Sequence, residues 1–100
     1  MGEKNISEVV PDVEFFKKKI QAILINILQC MLKYPEKMSV EIEQGERTTL
    51  FIVDVDKVDF GRLVGSRGKN IESLRTIVQS ISGSQGFRAI LQIKDEERFF

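Results

Sequence analysis

The sequence predicts one α+β domain in the order helix, strand, strand, helix, helix, strand. Three observations carry this: a long three-and-four-residue apolar periodicity before Pro35, two stretches of period-two alternation joined by a glycine turn, and a pair of glycines at 65 and 68 between two further helical patterns. One hundred residues, 42% hydrophobic and 30% charged, supply one modest core and not two.

Residues 1–12 are mixed and polar, punctuated by Pro11, and read as a loose leader without a basic segment and apolar run of the secretory kind. From Val13 the apolar residues Phe16, Ile20, Ile23, Leu24, Ile27, Met31 and Tyr34 share one helical face, and Pro35 ends the helix. Lys17, Lys18, Lys19 and Lys33 are assigned to the solvated side of this helix and left out of any site. Phe15, Ile25 and Leu32 fall off the main stripe, which offers a second apolar face to another chain.

Met38, Val40 and Ile42 alternate with Ser39, Glu41 and Glu43 as a strand, the turn Gln44-Gly45-Glu46-Arg47 follows, and residues 48–55 form a second strand. Leu50 and Ile52, opposite Phe51, Val53 and Val55, mark that second strand as central or partly covered. Asp56 is placed to cap a short helix ending at Gly65. Lys69 opens another, with Ile71, Leu74, Ile77, Val78 and Ile81 buried. Residues 82–86 read as a flexible connection, and Phe87, Ala89, Leu91 and Ile93 point inward from a last strand. Residues 96–100 form a charged tail ending in Phe99 and Phe100.

Composition excludes several functions. There is no histidine and one cysteine, so zinc sites and Ser-His or Cys-His catalysis have no material, no cofactor is indicated, and no enzyme is expected. Cys30 cannot form an intramolecular disulfide; its apolar helical setting reads as a buried thiol in a reducing cytoplasm. The uncharged stretch 20–32 falls short of the ~20 apolar residues that cross a bilayer. Fifteen basic and fifteen acidic residues give zero net charge, so attraction to a polyanion must come from local placement.

That placement is found at Gly65-Ser66-Arg67-Gly68. Without Cβ atoms, Gly65 and Gly68 let the chain turn between two helices and bring main-chain N–H groups to a phosphate. Gly68 also opens a helix, whose first N–H groups favour an anion. Arg62, Arg67 and Lys69 surround the loop, and no acidic residue lies between Gly61 and Lys69. The nucleotide-cradling pattern G-x-x-x-x-G-K-[ST] is absent, because Leu63 stands where its first glycine belongs and Asn70 where its hydroxyl belongs. The dinucleotide fingerprint lacks the same glycine and would need a strand, where 57–64 reads as helix.

The run Gly61-Arg62-Leu63-Val64-Gly65-Ser66-Arg67-Gly68-Lys69-Asn70-Ile71, followed by Leu74-Arg75-Thr76, resembles the core of KH domains, in particular the small bacterial single-KH proteins of the KhpA type. The likeness covers residues 16–95, with its specific part at 58–76. It implies a type II KH fold of order αββααβ, a three-stranded mixed sheet with helices on one face, within a single KH domain at 13–95. It further implies a non-catalytic protein that binds single-stranded RNA, about four nucleotides lying in a groove with their backbone held by the loop. Carried over residue by residue, Gly65, Ser66, Arg67 and Gly68 are the clamp and Gly61 allows close approach of the strand. Val64 or Leu63, with Ile71, floors the groove, and Arg62, Lys69 and Arg75 add charge. The same aliphatics suit a core, and spacing does not choose between the two uses. The far wall falls at 82–86 and Arg88. The family also implies an RNA chaperone or post-transcriptional regulator, acting as a homodimer or with a second KH-containing RNA-binding protein. The alternative is an assembly module in which RNA contact is secondary, a reading that Asp56, Asp59 and Glu72 near the loop favour by trimming its positive field.

Overall fold

The computed structural model describes residues 12–99, and the side chains of all of these but the last two. The leader expected at 1–12 therefore lies, apart from Asp12, outside the described residues, as does Phe100. Helix α1 (Val13–Met31) leads by a 3-10 turn (Pro35–Lys37) into the hairpin β1 (Ser39–Gln44) and β2 (Thr49–Asp54). A second 3-10 turn (Lys57–Asp59) precedes the short helix α2 (Phe60–Val64), a third (Ser66–Gly68) precedes α3 (Lys69–Ser84), and β3 (Ala89–Ile93) is followed by a last 3-10 turn (Glu96–Phe99).

The sheet is mixed and runs β1-β2-β3. β1 pairs antiparallel with β2, Val40 opposite Val53 and Ile42 opposite Phe51. β3 pairs parallel with β2, Phe51 opposite Leu91. A parallel pair needs a crossover, and α2 with α3 supply it. β2 is thus central, as Leu50 and Ile52 implied; both are half-buried on the face away from the core. The inward face of Val40, Phe51, Val53, Ala89, Leu91 and Ile93 packs with Ile20, Leu24 and Leu28 of α1, Leu63 of α2, and Ile71, Leu74 and Val78 of α3.

Asp12 caps α1 by accepting the Phe15 N–H at 3.0 Å. The buried line of this helix is Lys17, Ile20, Leu24 and Leu28, a rotation from the predicted stripe that leaves Val13 and Ile23 more than a third exposed. Lys17, expected in solvent, is buried: its ammonium reaches Glu14 at 2.8 Å and donates to Gln44 Oε1, which also accepts the Thr49 hydroxyl. The aliphatic stem covers apolar surface while the charge is satisfied at the sheet edge. Cys30, expected to be buried, is exposed. Leu32 is buried and Ile25 packs against the core, so neither contributes to a second apolar face; of the off-stripe residues only Phe15 is exposed.

Two boundaries differ from the sequence reading for identifiable reasons. α1 stops at Met31 instead of Tyr34 because Leu32 is already extended, while the N–H groups of Lys33 and Tyr34 are taken by the Asp59 carboxylate. Pro35 also disfavours helical geometry at the residue before it. At the other end of the chain, 82–84 form the last turn of α3 and not a flexible connection. Ser82 is buried, its carbonyl accepts the Phe87 N–H at 3.0 Å, and Gly86 at φ 78 turns the chain out of the helix.

Candidate nucleic-acid interface

The loop begins where α2 ends. This helix has five residues, too few to persist alone, and Leu63, with no exposed surface, anchors it in the core. Burying a leucine stabilises by about 1.5–3 kcal/mol, so the platform that carries the loop is rigid through packing and not through propensity. Asp56 adds a cap for the turn before it, accepting the Val58 N–H at 3.0 Å.

Between α2 and α3 the backbone takes left-handed geometry three times, at Gly65 (φ 80), Arg67 (φ 56) and Gly68 (φ 75). Arg67 is the informative member, because a non-glycine residue there is uncommon and such local strain gathers at functional sites. The Gly65 N–H donates to Gly61 O at 2.8 Å and the Gly68 N–H to Gly65 O at 3.1 Å, which closes the turn. Asn70 locks it from beneath, its side-chain amide donating to Arg62 O at 2.9 Å and packing against Gly65 so tightly that a Cβ there would lie 2.6 Å from Asn70 Cγ. Around Gly61 and Gly68, by contrast, a Cβ would meet open space. Ser66, Arg67 and Lys69 are exposed, so the outer side of the loop is unobstructed.

The other predicted residues divide. Arg62 is exposed, with its Nε 3.6 Å from the buried Asp59 carboxylate. Val64 is half-buried at the loop's root. Leu63 and Ile71 are core residues, Ile71 at 5% exposure, so of the proposed apolar floor only Val64 retains usable surface. Arg75 is half-buried and lies against the outer edge of β3: its Nε donates to Leu91 O at 3.3 Å and its Nη1 pairs with Glu72 at 2.8 Å. Arg75 therefore ties α3 to the sheet. Residues 82–84 are the end of α3 opposite Gly68, about 24 Å away for a 16-residue helix, and Arg88 follows them just before β3, so the expected far wall lies at the other end of α3 from the loop.

The family model described as KhpA/KhpB, KH domain, matches residues 21–93, from the middle of α1 through β3. The chain belongs to this KH-domain family. Among curated relatives, the RNA-binding protein KhpA of Chlamydia pneumoniae is 27% identical over 78 residues, covering 78% of this chain and 100% of that protein. KhpA of Lactiplantibacillus plantarum is 28% identical over 79 residues, 79% of this chain and 93% of the relative. KhpA of Streptococcus pneumoniae serotype 4 is 29% identical over 62 residues, 62% and 78% of the two chains. Family membership makes this KH domain an RNA-binding protein in class, and the α+β architecture with a three-stranded mixed sheet agrees with a KH fold.

One feature beside the loop was not legible in the sequence. Asp59 has no exposed surface and receives the N–H groups of Lys33 at 2.7 Å and Tyr34 at 2.8 Å. It thereby fastens the end of α1 to the start of α2, bringing Lys33 and Tyr34 beside Arg62. No periodicity links residues 33 and 59; the acidic residue next to the apolar Phe60 and Gly61 was the only signal. Among the described residues, no helix is long and apolar enough to cross a membrane, and no cluster of three metal-ligating side chains is present.

Proposed function

We propose that this KH domain binds single-stranded RNA without catalysis, gripping the sugar-phosphate backbone through Gly65-Ser66-Arg67-Gly68. The observation that carries this reading is the exposed, three-fold left-handed loop set between the anchored α2 and the start of α3, with Arg67 and Lys69 on its outer side. Because Gly65, Gly68 and Lys69 use their N–H groups inside the turn, the Ser66 and Arg67 N–H groups are the natural donors to a phosphate, with the Arg67 guanidinium and Lys69 ammonium adding charge. Gly61 leaves room for the strand, Val64 offers an apolar contact, and Arg62 and Arg75 flank the path. Ile71 serves from below as core support.

With few aromatic residues at the groove and no general positive charge, affinity and sequence preference are modest, as suits an RNA chaperone or post-transcriptional regulator in the cytoplasm. Pairing raises apparent affinity through effective concentration, either in a homodimer or with a second KH-containing RNA-binding protein. Val13, Phe15, Ile23 and Ile77, all more than a third exposed, are the side chains available to such a contact in place of Ile25 and Leu32.

The test is the double variant Ser66→Asp and Arg67→Asp with fluorescent single-stranded RNA. Both positions are exposed, an aspartate is tolerated in left-handed geometry, and a carboxylate next to a helix N-terminus is compatible with the dipole, so the fold survives. Loss of binding with an unchanged far-UV spectrum is the expected result. Equal binding by both proteins would sink the clamp and favour the assembly-module reading.

A further inference from the structure

The exposed charges of the domain do not end at the loop. Four cations, Lys33, Lys37, Lys57 and Arg62, are exposed around the junction of α1, the turn after it and the start of α2. Lys33 Nζ lies 5.7 Å and Lys37 Nζ 5.1 Å from the centroid of the Tyr34 ring, so one half-buried aromatic holds two ammoniums in place. Beside them Val58 is 58% exposed, the largest exposure among the exposed large apolar side chains of the described residues.

Three acidic residues share the region, and two are turned away from solvent. Asp59 is wholly buried, spending its oxygens on the Lys33 and Tyr34 N–H groups with Arg62 alongside. Asp56 is half-buried, caps Val58 and pairs with Lys37 at 3.6 Å. Glu36 alone of the three is exposed. The solvent side thus carries four cationic ends to the one exposed carboxylate of Glu36, set around a ring edge and a valine, and Arg62 connects it to the loop, since its carbonyl holds Asn70 under Gly65. Phosphates with bases attached fit this mixture better than an acidic peptide does.

From this geometry we infer a second contact surface for single-stranded RNA, formed by Lys33, Tyr34, Lys37, Val58 and Arg62, that holds nucleotides flanking those in the clamp. The inference rests on the clamp reading and extends it. The lysines take phosphates, Val58 and the edge of Tyr34 take a base or sugar, and the occupied strand runs from the loop across α2 toward the end of α1. A single domain then senses RNA length as well as the presence of a single strand.

The experiment compares RNAs of about 4 and about 12 nucleotides, over a salt series, with the intact chain and three variants. Lys33→Gln with Lys37→Gln is the test, Lys18→Gln with Lys19→Gln removes the same charge toward the other end of α1, and Ser66→Asp with Arg67→Asp removes the clamp. The expected result is that the first variant binds the short RNA within about twofold of the native chain but loses about fivefold or more on the long one, its salt slope shallower by about 1.4 for two phosphate contacts. The second variant tracks the native chain on both. Long-RNA binding by the test variant equal to that of the native chain or of the Lys18 and Lys19 control overturns the second surface while leaving the clamp intact. An equal loss on both RNA lengths also overturns it. Retained binding by the clamp variant removes the clamp and this inference with it.

Discussion

Replacing each loop glycine by alanine separates two demands that look alike in the sequence. At Gly68 the backbone is left-handed (φ 75, ψ 16) and an added Cβ meets nothing within 4 Å, so Gly68→Ala costs only the left-handed penalty, about 1–2 kcal/mol. At Gly65 the backbone (φ 80, ψ 172) lies in a region that is essentially glycine-only, worth about 1–3 kcal/mol. Its Cβ would in addition lie 2.6 Å from Asn70 Cγ and 2.8 Å from both Asn70 Cβ and the Asn70 main-chain N. The last of these belongs to α3 and cannot rotate away, so relief requires moving the helix or the turn, and overpacking of this kind adds about 1–3 kcal/mol. Gly65→Ala is therefore expected to cost about 3–5 kcal/mol. For a domain of this size, thermal unfolding should show a midpoint drop of about 5–15 °C for Gly68→Ala and about 15–30 °C for Gly65→Ala. Adding Asn70→Ala to the Gly65 variant removes the Cγ clash but keeps the other two and forfeits the bond to Arg62 O, so recovery is less than half. Equal losses for the two glycines, or full rescue by Asn70→Ala, would refute the proposed geometry of the turn.

Two further outcomes follow from burial. Asp59→Ala strands the Lys33 and Tyr34 N–H groups and is expected to destabilise by about 3 kcal/mol, with Asp59→Asn, which keeps one acceptor, near half of that; chemical denaturation giving less than about 0.5 kcal/mol for the alanine variant would show that these groups find other partners. Cys30 is exposed, so maleimide should label it in the native protein at a rate close to that in denaturant; strong protection under native conditions would place the thiol in a contact with another chain.

The loop was readable because its chemistry is local. Glycines three apart, flanking cations and the absence of acidic residues are sequence facts, and the left-handed angles at 65 and 68 are what those glycines permit. Alternation likewise exposed the hairpin and the inward faces of all three strands, since period two is a property of the strand itself. Where neighbours decide, the linear pattern ran out. Lys17 looks solvated until the end of β1 supplies Gln44 for its ammonium, and Ser82 and Gly83 look like a turn until packing extends α3 through them. Cys30 has apolar neighbours in sequence yet points outward, because the buried line of α1 is set by which side meets the sheet.

By itself, then, the sequence determined an α+β domain with amphipathic helices, alternating strands and the glycine turn with its charge, because each depends on residues within a few positions of one another. Only the tertiary structure decided that Leu63 and Ile71 are core, that Arg75 is tied to the edge of β3 and that Arg88 is remote. It also decided that one buried carboxylate draws the end of α1 to the foot of the loop. The physical reason is that burial and hydrogen-bond satisfaction are settled between segments far apart in the chain, and a side chain's exposure follows from what packs against it.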